Sequence, residues 1–243
     1  MVKYESMSFI VSSNKPEFKY SINPPIKLEK DGEHEIALLN IDMYHSTPNI
    51  DNSNNKFIYK YNDKEFKIIL PVGSYEIKAI NDYIQEQLIK NKHKEFFMIE
   101  ANTTTLKCTI HIKKDDIKIH FNRSQSLNML LGFNREIIKG IGKHEGQNIV
   151  KILSVNSILV NCDIIEGSYL NGIQKPVLCS SFRMFLPPGY KLNEKPSTPV
   201  YLIVTITSIN SIRIWLADQD HNPLNVRGEE ITIRLHLKST FYS

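Results

Sequence analysis

Nothing in this chain of 243 residues approaches the roughly 18 consecutive apolar residues that a membrane-crossing helix needs, and Met1-Val2-Lys3-Tyr4-Glu5-Ser6 has no apolar signal region. Neither membrane insertion nor export by the usual secretory route is expected. Cysteine is scarce. Cys108, Cys162 and Cys179 are odd in number and far apart, which suits reduced thiols better than a disulfide framework. Charge of one sign is scarce too. With 30 basic and 26 acidic side chains well mixed, and no run of five like charges, no nucleic-acid arm is present and no specific nucleic-acid partner is expected. The densest basic spots, Lys90, Lys92 and Lys94 with His93, and Lys113-Lys114, read as solvated faces or helix ends. The triplets Asn102-Thr103-Thr104 and Asn122-Arg123-Ser124 read as chance matches to a glycosylation signal in a chain without a secretory leader.

Catalytic signatures are missing as well. No serine lies in Gly-x-Ser-x-Gly, and the eight histidines never form His-x-His, the arrangement that cupin enzymes use for a metal. Asp218-Gln219-Asp220-His221-Asn222 followed by Glu229 has the spacing of a calcium loop, but Pro223 stands where the sharp turn needs glycine, so a hairpin loop explains the same residues. In Gly140-Ile141-Gly142-Lys143-His144 the first glycine of a phosphate loop would fall at Ile137, and His144 replaces the magnesium-binding Ser or Thr. Cys108 and His111 are three apart on a strand and so point to opposite faces. Asp115-Asp116 and Glu229-Glu230 read as solvated carboxylates, and Trp215 with Tyr201 and Phe185 as core or interface aromatics ahead of a sugar platform. No catalytic residue, metal ligand or cofactor is expected, and interface residues stay unassigned.

What the chain does have is beta pattern. In 230–238, Ile231, Ile233, Leu235 and Leu237 alternate with Thr232, Arg234, His236 and Lys238, the period of a strand with one buried face. Further strands are expected at 8–12, 33–44, 57–61, 65–70, 96–100, 106–112, 117–121, 157–164, 180–185, 200–207 and 211–217. In 33–44, Ile36, Leu38 or Leu39, Ile41 and Met43 supply the apolar contacts. Asn-, Asp-, Ser- and Pro-rich residues 46–56 read as an exposed loop, and Lys139 to Gly146 as a glycine-bearing one. From Ser74, a plausible N-cap, the period changes to 3.6: Ile77, Ile80, Ile84 and Leu88 share one face of an amphipathic helix ending near Lys90. A short turn at Ser126 to Leu131 stops at Gly132.

With 41% hydrophobic residues the chain can bury one substantial core. The fold expected is mainly all-β: a single jelly-roll or Greek-key sandwich over 26–243 with one inserted amphipathic helix near 74–90, preceded by an N-terminal arm or edge strand over 1–25.

Several segments carry a resemblance to a known family. They are Leu70-Pro71-Val72-Gly73-Ser74-Tyr75-Glu76-Ile77, Leu130-Leu131-Gly132-Phe133, Val155 to Val160, Ile165 to Gly172, Pro187-Pro188-Gly189-Tyr190, Trp215 to Asp220 and Asn225 to Leu237. Together they resemble virion proteins of Polinton (Maverick) elements and adintovirus-like viruses of animals, over roughly residues 30 to 238. The resemblance implies a structural capsid protein without enzymatic activity. The length matches the minor capsid or penton protein, a single jelly roll, better than the major capsid protein with its double jelly roll. The partners implied are the chain itself, as a homopentamer at fivefold vertices, and that major capsid protein; the location implied is the virion, after synthesis in the host cell. The alternative is another viral jelly-roll module such as a spike, cement or carbohydrate-binding domain. Arg227-Gly228-Glu229 resembles an integrin-binding tripeptide only loosely and reads as the turn into the last strand.

Overall fold

A strand that buries every second residue has to place that row against a second layer, and the carboxy-terminal strand sets the sandwich in this way. The computed structural model describes residues 2–152, 155–182 and 189–242. In chain order the elements are β1 (Val2–Ser13), β2 (Glu17–Lys27), β3 (Gly32–Tyr44), β4 (Lys56–Tyr61), β5 (Lys64–Ile69), α1 (Ile77–Lys90), β6 (Phe97–Asn102), β7 (Lys107–Ile112), β8 (Ile117–His120), β9 (Ile137–Lys139) and β10 (Gly142–Glu145). They continue with β11 (Ile158–Cys162), β12 (Ser168–Leu170), β13 (Ile173–Lys175), β14 (Val177–Phe182), β15 (Lys191–Glu194), β16 (Leu202–Ile203), β17 (Ser208–Ala217) and β18 (Ile231–Tyr242). The chain divides into two compact units, Met1–Thr47 with Val155–Ser243, and Pro48–Ser154.

The first unit is a sandwich of two antiparallel sheets. One runs β1-β18-β3-β15, with β16 also on β3; the other runs β14-β11-β17-β2. The chain crosses repeatedly between the sheets, so strands far apart in sequence become neighbours. Ile231, Ile233, Leu235 and Leu237 of β18 are all buried and share one core with Ile36, Leu38, Ile41 and Met43 of β3, and with Ile212, Ile214 and Leu216 of β17. A register shift between Arg234 and Leu235 places Leu38 opposite Leu235 and Asn40 opposite Arg234. Leu39 is thereby skipped, which moves the inward row from even to odd numbers and lets both Leu38 and Ile41 face the core.

The second unit has its own core. A three-stranded sheet, β10-β7-β6, and a four-stranded sheet, β5-β4-β8-β9, accompany α1. Ile77, Ile80, Ile84 and Leu88 are the buried residues of the helix, and they join Phe57, Tyr59, Phe97, Ile99, Ile110 and Ile119. The helix expected as an insertion near 74–90 is thus one element of a unit that spans 48–154.

Three expectations need correction, while residues 1–25, expected as an arm or edge strand, supply an edge strand to each sheet. Their polar stretch forms β2, whose Phe18 sits opposite Ile214 and packs into the core, while β1 pairs with β18 along its length from Val2 to Ser13. The Pro24-Pro25 pair falls in the register shift between Ile209 and Ser211, where residues 22–25 have no partner on β17, so its missing N–H groups break no ladder bond. The helix begins at Ile77 with Glu76 at its N-cap, two residues after Ser74. Asn49 holds the entry extended, accepting the Tyr75 N–H at 2.9 Å and donating to the Tyr75 carbonyl at 2.7 Å. The glycine loop at 139–146 is two short strands, with Gly140 (φ +90) and Gly142 (φ +137) giving the backbone conformations that the turn between them requires. Finally, the run 200–207 pairs with β3 only from Leu202 to the Val204 N–H, which bonds the His34 carbonyl, because the Thr205 N–H bonds instead to Ile164.

Candidate assembly surface

The loops that imitate chemistry resolve into turns. Asp218 Oδ1 accepts the N–H groups of Asp220 and Asn222 at 2.9 and 2.8 Å, and its Oδ2 accepts the Asn222 amide at 3.1 Å, so the carboxylate holds its own loop. Arg227 (φ 54) and Gly228 (φ 78) form the turn into β18. His144 Nε2 bonds the Gly140 carbonyl across the β9–β10 connection. Cys108 is buried on the inner side of β7, while His111 pairs with Glu100 at 3.4 Å on the outer side. Among the described residues no three His, Cys, Asp or Glu side chains are gathered as metal ligands.

Burial pushes the thiols of Cys108 and Cys162 up to about 12, and that of Cys179 upward as well. Such groups are poor nucleophiles. Trp215 and Tyr201 do not form a platform. Trp215 carries the Arg213 guanidinium 5.0 Å from its ring centre on the β17 sheet, whereas the Tyr201 hydroxyl bonds His236 Nδ1 at 2.7 Å on the β18 sheet. Phe185 lies outside the described residues, as do Leu186, Pro187 and Pro188.

The first unit does expose features that suit contact with other molecules. β1 ends its sheet, so one side of a 12-residue strand is unpaired among the described residues, and Tyr4, Met7 and Ile10 are exposed on it. Beside it a cleft of about 370 Å³ is lined by Glu5, Met7, Ile26, Leu28, Leu237 and Phe241, among others. A second feature is the β12–β13 hairpin, which turns at Asn171 (φ 51) and Gly172 (φ 80) and presents Tyr169 at 75% and Ile173 at 61% exposure. Its base is tight, since a Cβ on Gly167 would lie 1.8 Å from the Lys175 carbonyl oxygen. Leu170 anchors it on Leu159, Val177 and Ala217.

Comparison of the sequence with protein-family models and with curated proteins gives no match. Solved structures do match. The chain is similar to the mavirus penton protein, with a TM-score of 0.51 and 11% identity, over 97% of this chain and 99% of that one. The chain has an all-β jelly-roll fold. It also aligns with a chain in a structure of the Sputnik virophage, at TM-score 0.42 and 12% identity, over 96% of this chain and 97% of that one. No helix among the described residues is long and apolar enough to cross a membrane.

Sequence reasoning left the interface blank for a physical reason. An edge strand is defined by the partner it lacks, and that is a property of sheet order, which local periodicity does not encode. The paired signals Gly167 and Asn171-Gly172 marked the hairpin's turns, but the exposure of Tyr169 and Ile173 depends on what Leu170 packs against.

Proposed function

We propose that this chain is a structural virion protein, the penton of an icosahedral capsid, acting as a homopentamer at fivefold vertices and contacting a major capsid protein with a double jelly roll. The observation that carries this reading is the end-to-end fold likeness to the mavirus penton protein, covering both units. It is supported by surfaces that suit self-association: the open edge of β1, the cleft beside it and the β12–β13 hairpin are different patches of the same unit. A contact joining unlike patches on successive copies is heterologous, and such contacts close into a ring when the rotation between copies divides the circle. The mechanism is mechanical: folded sandwiches supply shape, and edges and loops supply adhesion.

Mass measurement of the purified protein with imaging of its assemblies tests the reading. A closed ring of five subunits of 28.1 kDa is the expected result. A trimer would overturn it in favour of a spike, and a monomer that binds sugars in favour of a lectin.

A further inference from the structure

Outside the surfaces already described, the outer face of the four-stranded sheet in the second unit carries an arrangement that folding alone does not favour. Lys60 on β4, Lys118 on β8 and Lys139 on β9 stand directly opposite one another on three adjacent strands. Like charges in that relation repel and destabilise a sheet. Their neighbours on the inner face, Tyr59, Ile119 and Ile138, are buried, so alternation directs the lysines outward. The same face adds Lys56 and Ile58 from β4, Lys67 and Ile69 from β5, and Ile137 from β9. Its carboxylate, Glu65, is engaged by Arg123 at 3.3 Å, and Asp63 in the β4–β5 turn reaches only to 3.9 Å from Lys118. Among the described residues neither Lys60 nor Lys139 has an ion pair. His120 also belongs to this face and is 7% exposed, and neither ring nitrogen makes a hydrogen bond of good geometry among the described residues.

We propose that this lysine row is a docking surface for a linear sulfated polysaccharide. Adjacent strands are about 4.8 Å apart, close to the length of one pyranose unit. A sugar chain laid across β4, β8 and β9 therefore meets one ammonium per residue, while Ile58 and Ile137 offer apolar surface to the ring C–H faces. Successive phosphates of one nucleic-acid strand lie farther apart. Among the described residues no Phe, Tyr or Trp stands on this face for bases to stack on. Lysine ammonium groups act as point charges on flexible stems, which suits irregularly placed sulfates better than bidentate recognition.

The test uses the full chain and heparin as the probe. Wild-type protein is expected to bind heparin with strong salt dependence, and Lys60→Gln/Lys118→Gln/Lys139→Gln should lower the slope of log affinity against log salt by about one for each lysine removed. The triple change Lys15→Gln/Lys30→Gln/Lys195→Gln, equal in charge, should leave heparin binding near wild type. The row variant should melt at or above the wild-type temperature, since a repulsion is relieved. Absence of heparin binding, an equal loss in the second triple variant, a row variant that melts well below wild type, or tighter binding to duplex DNA than to heparin would each overturn the proposal.

Discussion

Leu235→Ala probes the sandwich at its centre. Leu235 is fully buried in β18, between Phe9 of β1 and Leu38 of β3, and it belongs to the core shared by both sheets. Removing its branched end deletes buried apolar surface and leaves a cavity whose walls are backbone-paired strands that cannot easily collapse. Leucine-to-alanine changes at such sites cost about 2–5 kcal/mol, and the well-braced position argues for about 3 kcal/mol or more. For a chain of this size that corresponds to a fall in melting temperature of about 6–12 °C. Arg234→Ala, one residue away on the exposed face and opposite Ile10 and Asn40, should stay within about 0.5 kcal/mol. Urea unfolding followed by circular dichroism measures both. If the two variants lose stability equally, the register of β18 is wrong and the sandwich built on it fails.

Acidification should loosen the second unit. Burial holds the imidazole of His93 below its ordinary value near 6.5, and burial with the charges of Lys60 and Arg123 does the same for His120. The fold disfavours the charged form of both, so their contribution is complete above about pH 6.5 and declines below it, as the unfolded chain takes up protons that the folded one resists. His93 Nδ1 and the Tyr59 hydroxyl share a hydrogen bond of 2.8 Å among Tyr61, Phe66 and Phe96, and His93→Gln should flatten the decline in unfolding midpoint between pH 7.5 and 5. An unchanged slope would remove His93 from the explanation. The thiols of Cys108 and Cys162 should resist an alkylating reagent at pH 8 in the native protein and react fully in denaturant; native labelling of either, read by mass spectrometry, would contradict their burial. Deleting residues 1–13 should destabilise the first unit, because it strips β1 from β18 and removes Phe9 and Val11 from the core margin. A truncated protein that melts like wild type would make β1 a dispensable strap.

Local periodicity made the central strand and the helix legible. Ile231 to Leu237 and Ile77 to Leu88 each announce a buried face within a dozen residues, and the structure buries all eight apolar positions. Pairing over long distance stayed hidden. The bulge at Leu39 that reconciles Leu38 with Ile41 is forced by β18, about two hundred residues away in the chain. β2 looks polar because Phe18 is its single buried residue, and its strand identity comes from β17. The row Lys60, Lys118 and Lys139 is likewise invisible in the sequence, where the three lysines are far apart and only sheet order aligns them. The division into two units eluded composition because 48–154 carries the same mixture of strand and loop residues as its surroundings.

The central claim, that this protein occupies capsid vertices, is tested most directly by locating it in particles. Co-expression with the double-jelly-roll major capsid protein, followed by electron cryomicroscopy of the assembled shells, should place density matching both units at the fivefold positions, five copies to each vertex. Shells whose vertices close without this chain, or which carry it only on their faces, would contradict the account.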